Sequence, residues 1–220
     1  MGAADFLLAP EVQKLLQLVF SQPDAHLTTG DIAKACKLDV DDVERTQEHL
    51  VQCGILTRCK LATDQTAAVC ANPAFIFYGE LRSIALKSFA AAEPIRAMLR
   101  SKFRKSVLRA YLLGEDLHGT VELLVVHGRE VPDAEVMSAA CRKLSASIGR
   151  HLQVHVISGQ KFASLSARDE LGRKLASASA LELIAEGDTK AKPAVEREGL
   201  LDMARKGLSA LARSPERRGS

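Results

Sequence analysis

Apolar residues recur three and four positions apart at the start of the chain. In PEVQKLLQLVFSQPD, Val12, Leu15, Leu16, Val19 and Phe20 share one face, which predicts a helix ended by SQPD. LTTGDIAKACKL sets Ile32, Ala33 and Cys36 on one face behind a capping Thr28 or Thr29, a second, short helix. After a break at Leu38, Asp39 and Val40, DDVERTQEHLVQCGIL turns Val43, Leu50 and Val51 inward, with Asp41 or Asp42 as cap and Gly54 as stop. Two short helices joined by a tight turn predict a helix-turn-helix. ILTRCKL and TAAVCAN then alternate with period two around the turn residues ATDQ, a hairpin in the place of a wing.

From Asn72-Pro73 the pattern changes. FIFYGELRSIALKSFAAAE carries Leu81, Ile84, Ala85, Ser88 and Phe89 on one stripe and reads as a connecting helix, and Pro94 opens another, PIRAMLRSKFRK. Strand SVLRAYLLG, strand VELLVV, helix DAEVMSAACRKLSASIG and strand LQVHVIS follow, then helical SARDELGRKLASA and the apolar run ALELIA. That succession predicts a small α/β unit with a mixed sheet. GDTKAKPAVEREG reads as polar linker and PERRGS as a frayed tail. Between them, LLDMARKGLSALARS lines up Leu200, Ala204, Leu208 and Leu211, a stripe that must dock back or meet a second copy.

The expected fold class is therefore α+β and helix-rich. It comprises an N-terminal winged helix-turn-helix over 1–74, a connecting helix over 75–92, the α/β domain over 93–188, and linker, amphipathic helix and tail over 189–220.

Composition narrows the setting. Apolar residues make up 47 % of the 220 and aromatics 4 %, so the cores are built from Leu, Ala and Val and the chain is long enough for two small ones. No apolar run approaches the roughly 18 to 20 residues of a membrane helix, and MGAADFLLAP lacks the basic start of a signal peptide; a cytoplasmic protein is expected. Five cysteines without CxxC spacing argue against a disulfide framework or zinc knuckle and read as small buried hydrophobes. Residues 1–76 carry six Lys/Arg against ten Asp/Glu, whereas residues 77–220 carry 24 against 17, so charge alone does not nominate the N-terminal part as a nucleic-acid anchor.

The helix-turn-helix nevertheless supplies candidates for double-stranded DNA. On the second helix Arg45, Thr46, His49 and Gln52 are placed to meet base edges, with Thr29 at the start of the preceding helix and Arg58 and Lys60 on the wing for phosphates. Asp41, Asp42, Glu44 and Glu48 share the reading helix and repel the backbone, so a second basic segment is needed. Arg96, Arg100 and Arg104 at i, i+4 and i+8, with Lys105, offer a phosphate-contacting stripe, a seat for an acidic partner, or simply a solvated face.

The order of parts, with Asn72-Pro73, ELRS over 80–83 and Leu86-Lys87, resembles a bacterial and archaeal group of regulators. In that group an ArsR-like winged helix is fused to a nucleotidyltransferase-like domain, and the likeness runs from residue 10 to about 188. Active nucleotidyltransferases end a first strand in Gly-Ser, bear two carboxylates one residue apart on the next strand, and add a third on a later strand. Such carboxylates share the divalent ions that bridge a triphosphate, and the glycine turn lets backbone donors reach phosphate. In LLGEDLHGTVELLVVHG, over 112–128, the resemblance sets Gly114 on the glycine, Glu115 on the serine, and Thr120 and Glu122 on the carboxylate pair; the third carboxylate falls near His155. One carboxylate of three does not organise a two-metal site, so these positions are vestigial and no catalytic residue, metal or cofactor is expected.

His151 and His155 form HxxxH, but along a strand they stand about 13 Å apart, too far to share an ion. GxSxG, Walker A, dinucleotide and HExxH motifs are absent. The sequence reading is a dimeric, DNA-binding transcriptional regulator whose nucleotidyltransferase-like domain is inactive and serves dimerisation, sensing or partner binding. Two alternatives stand beside it: an active nucleotidyltransferase modifying a protein or RNA through Glu122 with Glu115 or Asp116, and a protein-only, antitoxin-like adaptor.

Overall fold

A computed structural model describes residues 2–60, 67–116 and 119–194. Helix α1 (Pro10–Ser21) starts on a proline, whose missing N–H costs nothing there, and buries Leu15, Leu16, Val19 and Phe20. The two-residue strand β1 (Leu27–Thr28) runs into α2 (Thr29–Cys36). Thr28 caps α2 reciprocally: its hydroxyl accepts from the Asp31 N–H while Asp31 accepts from the Thr28 N–H. Helix α3 (Val40–Gln52) is capped by Asp39, two or three residues before the aspartates expected to cap it, because the Asp39 side chain is the one that reaches the Asp41 N–H.

Strands β2 (Leu56–Lys60) and β3 (Ala67–Ala71) pair antiparallel, and β3 also takes β1, giving the order β1-β3-β2. Three helices closed by this small sheet form a winged helix-turn-helix. The expected ATDQ turn lies outside the described residues.

The expected connecting helix is shorter than its sequence stripe. Helix α4 (Tyr78–Leu86) ends at Lys87, and α5 (Ala92–Lys102) begins two residues before Pro94. The turn between them bridges two cores. Ala85, Phe89 and Ala90 pack with α1, α2 and α3, whereas Leu86, Ala91, Ala92 and Ile95 pack against the second sheet.

That sheet is mixed, as expected. Strands β4 (Val107–Glu115) and β5 (Thr120–His127) form an antiparallel hairpin. Helix α6 (Ala134–Ile148) then crosses to β6 (His151–Ser158), which runs parallel to β5. Two short helices, α7 (Gly159–Ala163) and α8 (Glu170–Leu175), lead to β7 (Leu181–Ile184), antiparallel to β4. The order is β6-β5-β4-β7. One face buries Leu112, Leu123 and Val125 against α5 and α6, and the other buries Leu113, Leu124 and Val126 beneath Phe162, Leu171 and Leu175. Covering both faces explains why β5 reads as a continuous apolar run rather than an alternating one.

Three expectations change. Arg104 lies beyond the end of α5, so the arginine stripe is not carried by one helix. Residues 189–192 are tied down rather than free linker: Thr189 donates to the Val107 carbonyl, Lys190 N–H to Arg104, and Arg129 N–H to Lys192. Of the five cysteines only Cys141 is buried; Cys53 is exposed, and Cys36, Cys59 and Cys70 are half-buried. The amphipathic segment around Leu200 lies outside the described residues. Among those that are described, no helix is long and apolar enough to cross a membrane.

Candidate nucleic-acid interface and the hairpin site

The outer face of α3 is open. Its period places Val43, Gln47 and Leu50 in the core, leaving Arg45, His49 and Gln52 exposed and Thr46 half-exposed. Gln47 seats the helix: its Oε1 accepts from Thr29 Oγ1 at 2.9 Å, so Thr29 joins α2 to α3. Acidic side chains engage both cations nearest the reading face. Arg45 bridges Asp42 within α3, and Arg58 on β2 reaches across to Glu48, locking wing to helix. Gln52 Nε2 donates to Glu48 at 3.2 Å. Lys60 is the last residue of β2.

The basic segment on α5 faces the second sheet instead. Arg96 Nε donates to the Leu183 carbonyl of β7 at 2.9 Å, and Arg100 bridges Asp188, in the turn after β7, at 3.0 Å. Arg104 and Lys105 are exposed in the turn before β4.

In the hairpin, Gly114 sits at a bulge with φ +136, a backbone region that side chains rarely adopt, and a Cβ there would stand 3.2 Å from Ser179 Oγ. Next to it Glu115 is almost sealed. Its Oε2 accepts from Arg82 Nε at 3.1 Å and its Oε1 from Arg150 Nε at 2.9 Å. Arg150 also donates to the Phe20 carbonyl at 3.1 Å. One carboxylate thus ties together α1, α4, β4 and the α6–β6 corner. At that corner Gly149, φ +65, lets Ser21 approach so closely that a Cβ would lie 2.7 Å from the serine's own.

Thr120 and Glu122 open β5 as expected. Glu122 is held by Lys174 of α8, whose Nζ is 2.9 Å from Oε1 and 2.8 Å from Oε2, while Glu170 takes the same ammonium at 2.7 Å. Hydrogen bonds to Glu122 and then to Glu170 hold Lys174 above its ordinary range, so it stays charged. His155 on β6 lies opposite Leu124, and its Nε2 is buried without a hydrogen-bond partner among the described residues. Asp116 closes the loop by accepting from the Thr120 N–H at 2.8 Å. The cavity beside Gly114, about 330 Å³, is lined by Arg82, Lys87, Glu115, Asp116 and Ser179. At the other sheet edge α6 and β6 enclose an apolar groove of about 780 Å³ lined by Val131, Pro132, Met137, Cys141, Val154 and Val156.

Sequence reasoning missed Arg150 and Lys174. Neither carries a motif; an arginine after a C-capping glycine reads as a surface turn, and a lysine in ELGRKL as a solvated helix face. Arg82 stands inside the ELRS pattern and could have been singled out.

No protein-family model matches the chain, and no curated protein does. Among solved structures it is similar to S. aureus MepR. The MepR–DNA complex aligns at TM-score 0.34 and 20 % identity over 45 % of this chain and 81 % of that one. A MepR mutant from a multidrug-resistant clinical isolate aligns at TM-score 0.32 and 22 % identity over 36 % of this chain and 57 % of that one. A second MepR mutant gives 0.33 and 20 % over 38 % and 61 %. The chain thus spans under two thirds of the length of both mutants.

Proposed function

We propose that this chain is a DNA-binding transcriptional regulator in which the winged helix-turn-helix reads duplex DNA and the second unit is a nucleotidyltransferase-like frame without catalysis. The observation that carries the first half is the open outer face of α3, with Arg45, Thr46, His49 and Gln52 on it and the wing fixed alongside through Arg58 and Glu48. Arg45, His49 and Gln52 supply donors that suit base edges, and Arg58 and Lys60 supply phosphate contacts once Asp42 and Glu48 yield their partners to the stronger field of the duplex.

Two neutralised carboxylates support the second half. In an active site of the resembling kind, Glu122 would face a divalent ion and the residue after Gly114 would face phosphate. Here the Lys174 ammonium donates to Glu122 Oε1 and stands 2.8 Å from Oε2, which has no hydrogen-bond partner among the described residues. Glu115 lies beside Gly114 as a buried anion shared by two arginines. The remaining roles for this unit are scaffold, dimerisation surface and partner seat, and the apolar groove between α6 and β6 suits the latter two. A homodimer would double the contacts that one winged helix makes.

One observation favours a protein partner instead of DNA: Asp41, Asp42, Glu44 and Glu48 crowd the outer face of α3, and two of them already hold the nearest arginines. Fluorescence titration of duplexes against salt separates the two readings, since DNA binding releases counterions and weakens steeply with salt. Incubation with labelled nucleoside triphosphates and Mg²⁺ or Mn²⁺ tests the loss of catalysis.

A further inference from the structure

The winged-helix sheet carries a cluster that the function above does not use. His26, Cys59 and Cys70 each offer a ligand atom, and these atoms all lie within 4.8 Å of one another. They come from three places: Cys59 from β2, Cys70 from β3, and His26 from the residue just before β1. The register explains the meeting. Cys70 pairs with Thr57 and Cys59 with Ala68, so the two cysteines are diagonal neighbours on one face, and the pairing of Leu27 with Val69 carries His26 to the position beside Cys70. That face is opposite to the one bearing Leu56, Val69 and Ala71, which point into the core.

We infer that His26, Cys59 and Cys70 form a Cys2His site for a thiophilic divalent cation of the zinc class, clamping the three strands of the wing sheet. Two thiolates and an imidazole are the ligand types that bind zinc, and three protein ligands leave its fourth position to solvent. The two sulfurs stand 2.7 Å apart. Bound to one tetrahedral ion at about 2.3 Å they would stand about 3.8 Å apart, so the thiols open by roughly 1 Å, within reach of a small side-chain rotation. A disulfide is the competing outcome. From 2.7 Å the sulfurs would close by about 0.7 Å to a disulfide, but a disulfide gives His26 no role.

The thiolate is the form that binds the ion, so metal binding displaces the thiol protons into solution. This inference stands apart from the DNA-binding reading, since it concerns a different face of the sheet and a different probe.

The test is titration of the full-length, chelator-treated, thiol-reduced chain with Co²⁺, followed by Zn²⁺. The expected result is a thiolate-to-cobalt charge-transfer band that saturates near one ion per chain, release of about two protons per ion, and displacement by zinc. Cys59→Ser and Cys70→Ser each abolish the band. His26→Ala, at an exposed position that the fold does not need, weakens binding about tenfold or more. No band overturns the site, as does a band that survives in the Cys59→Ser/Cys70→Ser double variant, which would move the ligands to Cys36, Cys53 or Cys141. Oxidation by dissolved oxygen to a Cys59–Cys70 disulfide at the same rate with and without Zn²⁺ also overturns it, since a bound ion would shield both thiolates.

Discussion

Arg150 and Glu115 meet with Nε 2.9 Å from Oε1, and only 1 % and 8 % of their side chains reach solvent. Because Arg150 also donates to the Phe20 carbonyl, this pair joins the winged helix to the second sheet as well as balancing charge. A buried pair adds little over an apolar substitute, but removing one member strands the other. Glu115→Gln leaves Arg150 and Arg82 without their anion and is expected to lower unfolding free energy by about 3 kcal/mol. Arg82→Ala, at a side chain 30 % exposed, is expected to cost about 1 kcal/mol or less. Urea unfolding of the three proteins checks the order.

Lys174 is the counter-ion of Glu122, 2.8 Å from its carboxylate, and the proposed loss of catalysis has a direct test. With Mg²⁺ or Mn²⁺ and labelled nucleoside triphosphates, no label is expected on the chain, on added RNA or on co-purifying protein. Transfer that disappears in Glu122→Gln would restore the catalytic alternative.

Arg58 is held by Glu48 when the interface is free. Freeing it should help a polyanion, so Glu48→Gln is expected to tighten binding to any duplex, most at low salt. Arg58→Ala is expected to reduce the slope of log affinity against log salt by about one. Binding isotherms at several salt concentrations give both values. Equal affinities for wild type and Glu48→Gln would show that Arg58 does not meet phosphate.

Asp188 gives the fold an acid-sensitive tie. The Ala185 N–H, and after it Arg100, hold its carboxyl below the ordinary value of 3.8. A carboxyl depressed in the folded state contributes stability above its unfolded pKa and loses it as pH falls through the folded one. Asp188→Asn is therefore expected to lower stability at neutral pH and to flatten its decline below about pH 4. Thermal midpoints across that range show whether the two curves converge in acid.

The strongly periodic elements were legible in the sequence. α3 and α6 follow their apolar spacing, and the β4–β5 hairpin follows from the run over 107–127 interrupted by glycines at 114 and 119. Elements that depend on distant partners were not. β1 is two residues long and exists because β3 offers it a ladder, and β7 reads as a short apolar run until β4 takes it. α7 did carry a local signal, the Ser158 cap, whose side-chain oxygen accepts from the Lys161 N–H, that went unused. For the hairpin, sequence placed Gly114 and Glu115 at the end of one strand and Glu122 near the start of the next. Their partners Arg82, Arg150 and Lys174 come from elements 33 to 52 residues away and needed the fold to be seen. The same holds for His26, Cys59 and Cys70, whose spacing resembles no ligand motif.

The most direct test of the account is a salt-dependent fluorescence titration of the full chain with duplex fragments from the region upstream of its own gene, beside random duplexes of equal length. The account predicts at least one fragment bound more tightly than random sequence, with affinity falling as salt rises and with discrimination reduced in Arg45→Ala and Gln52→Ala. No fragment bound better than random duplex at any salt concentration would contradict it.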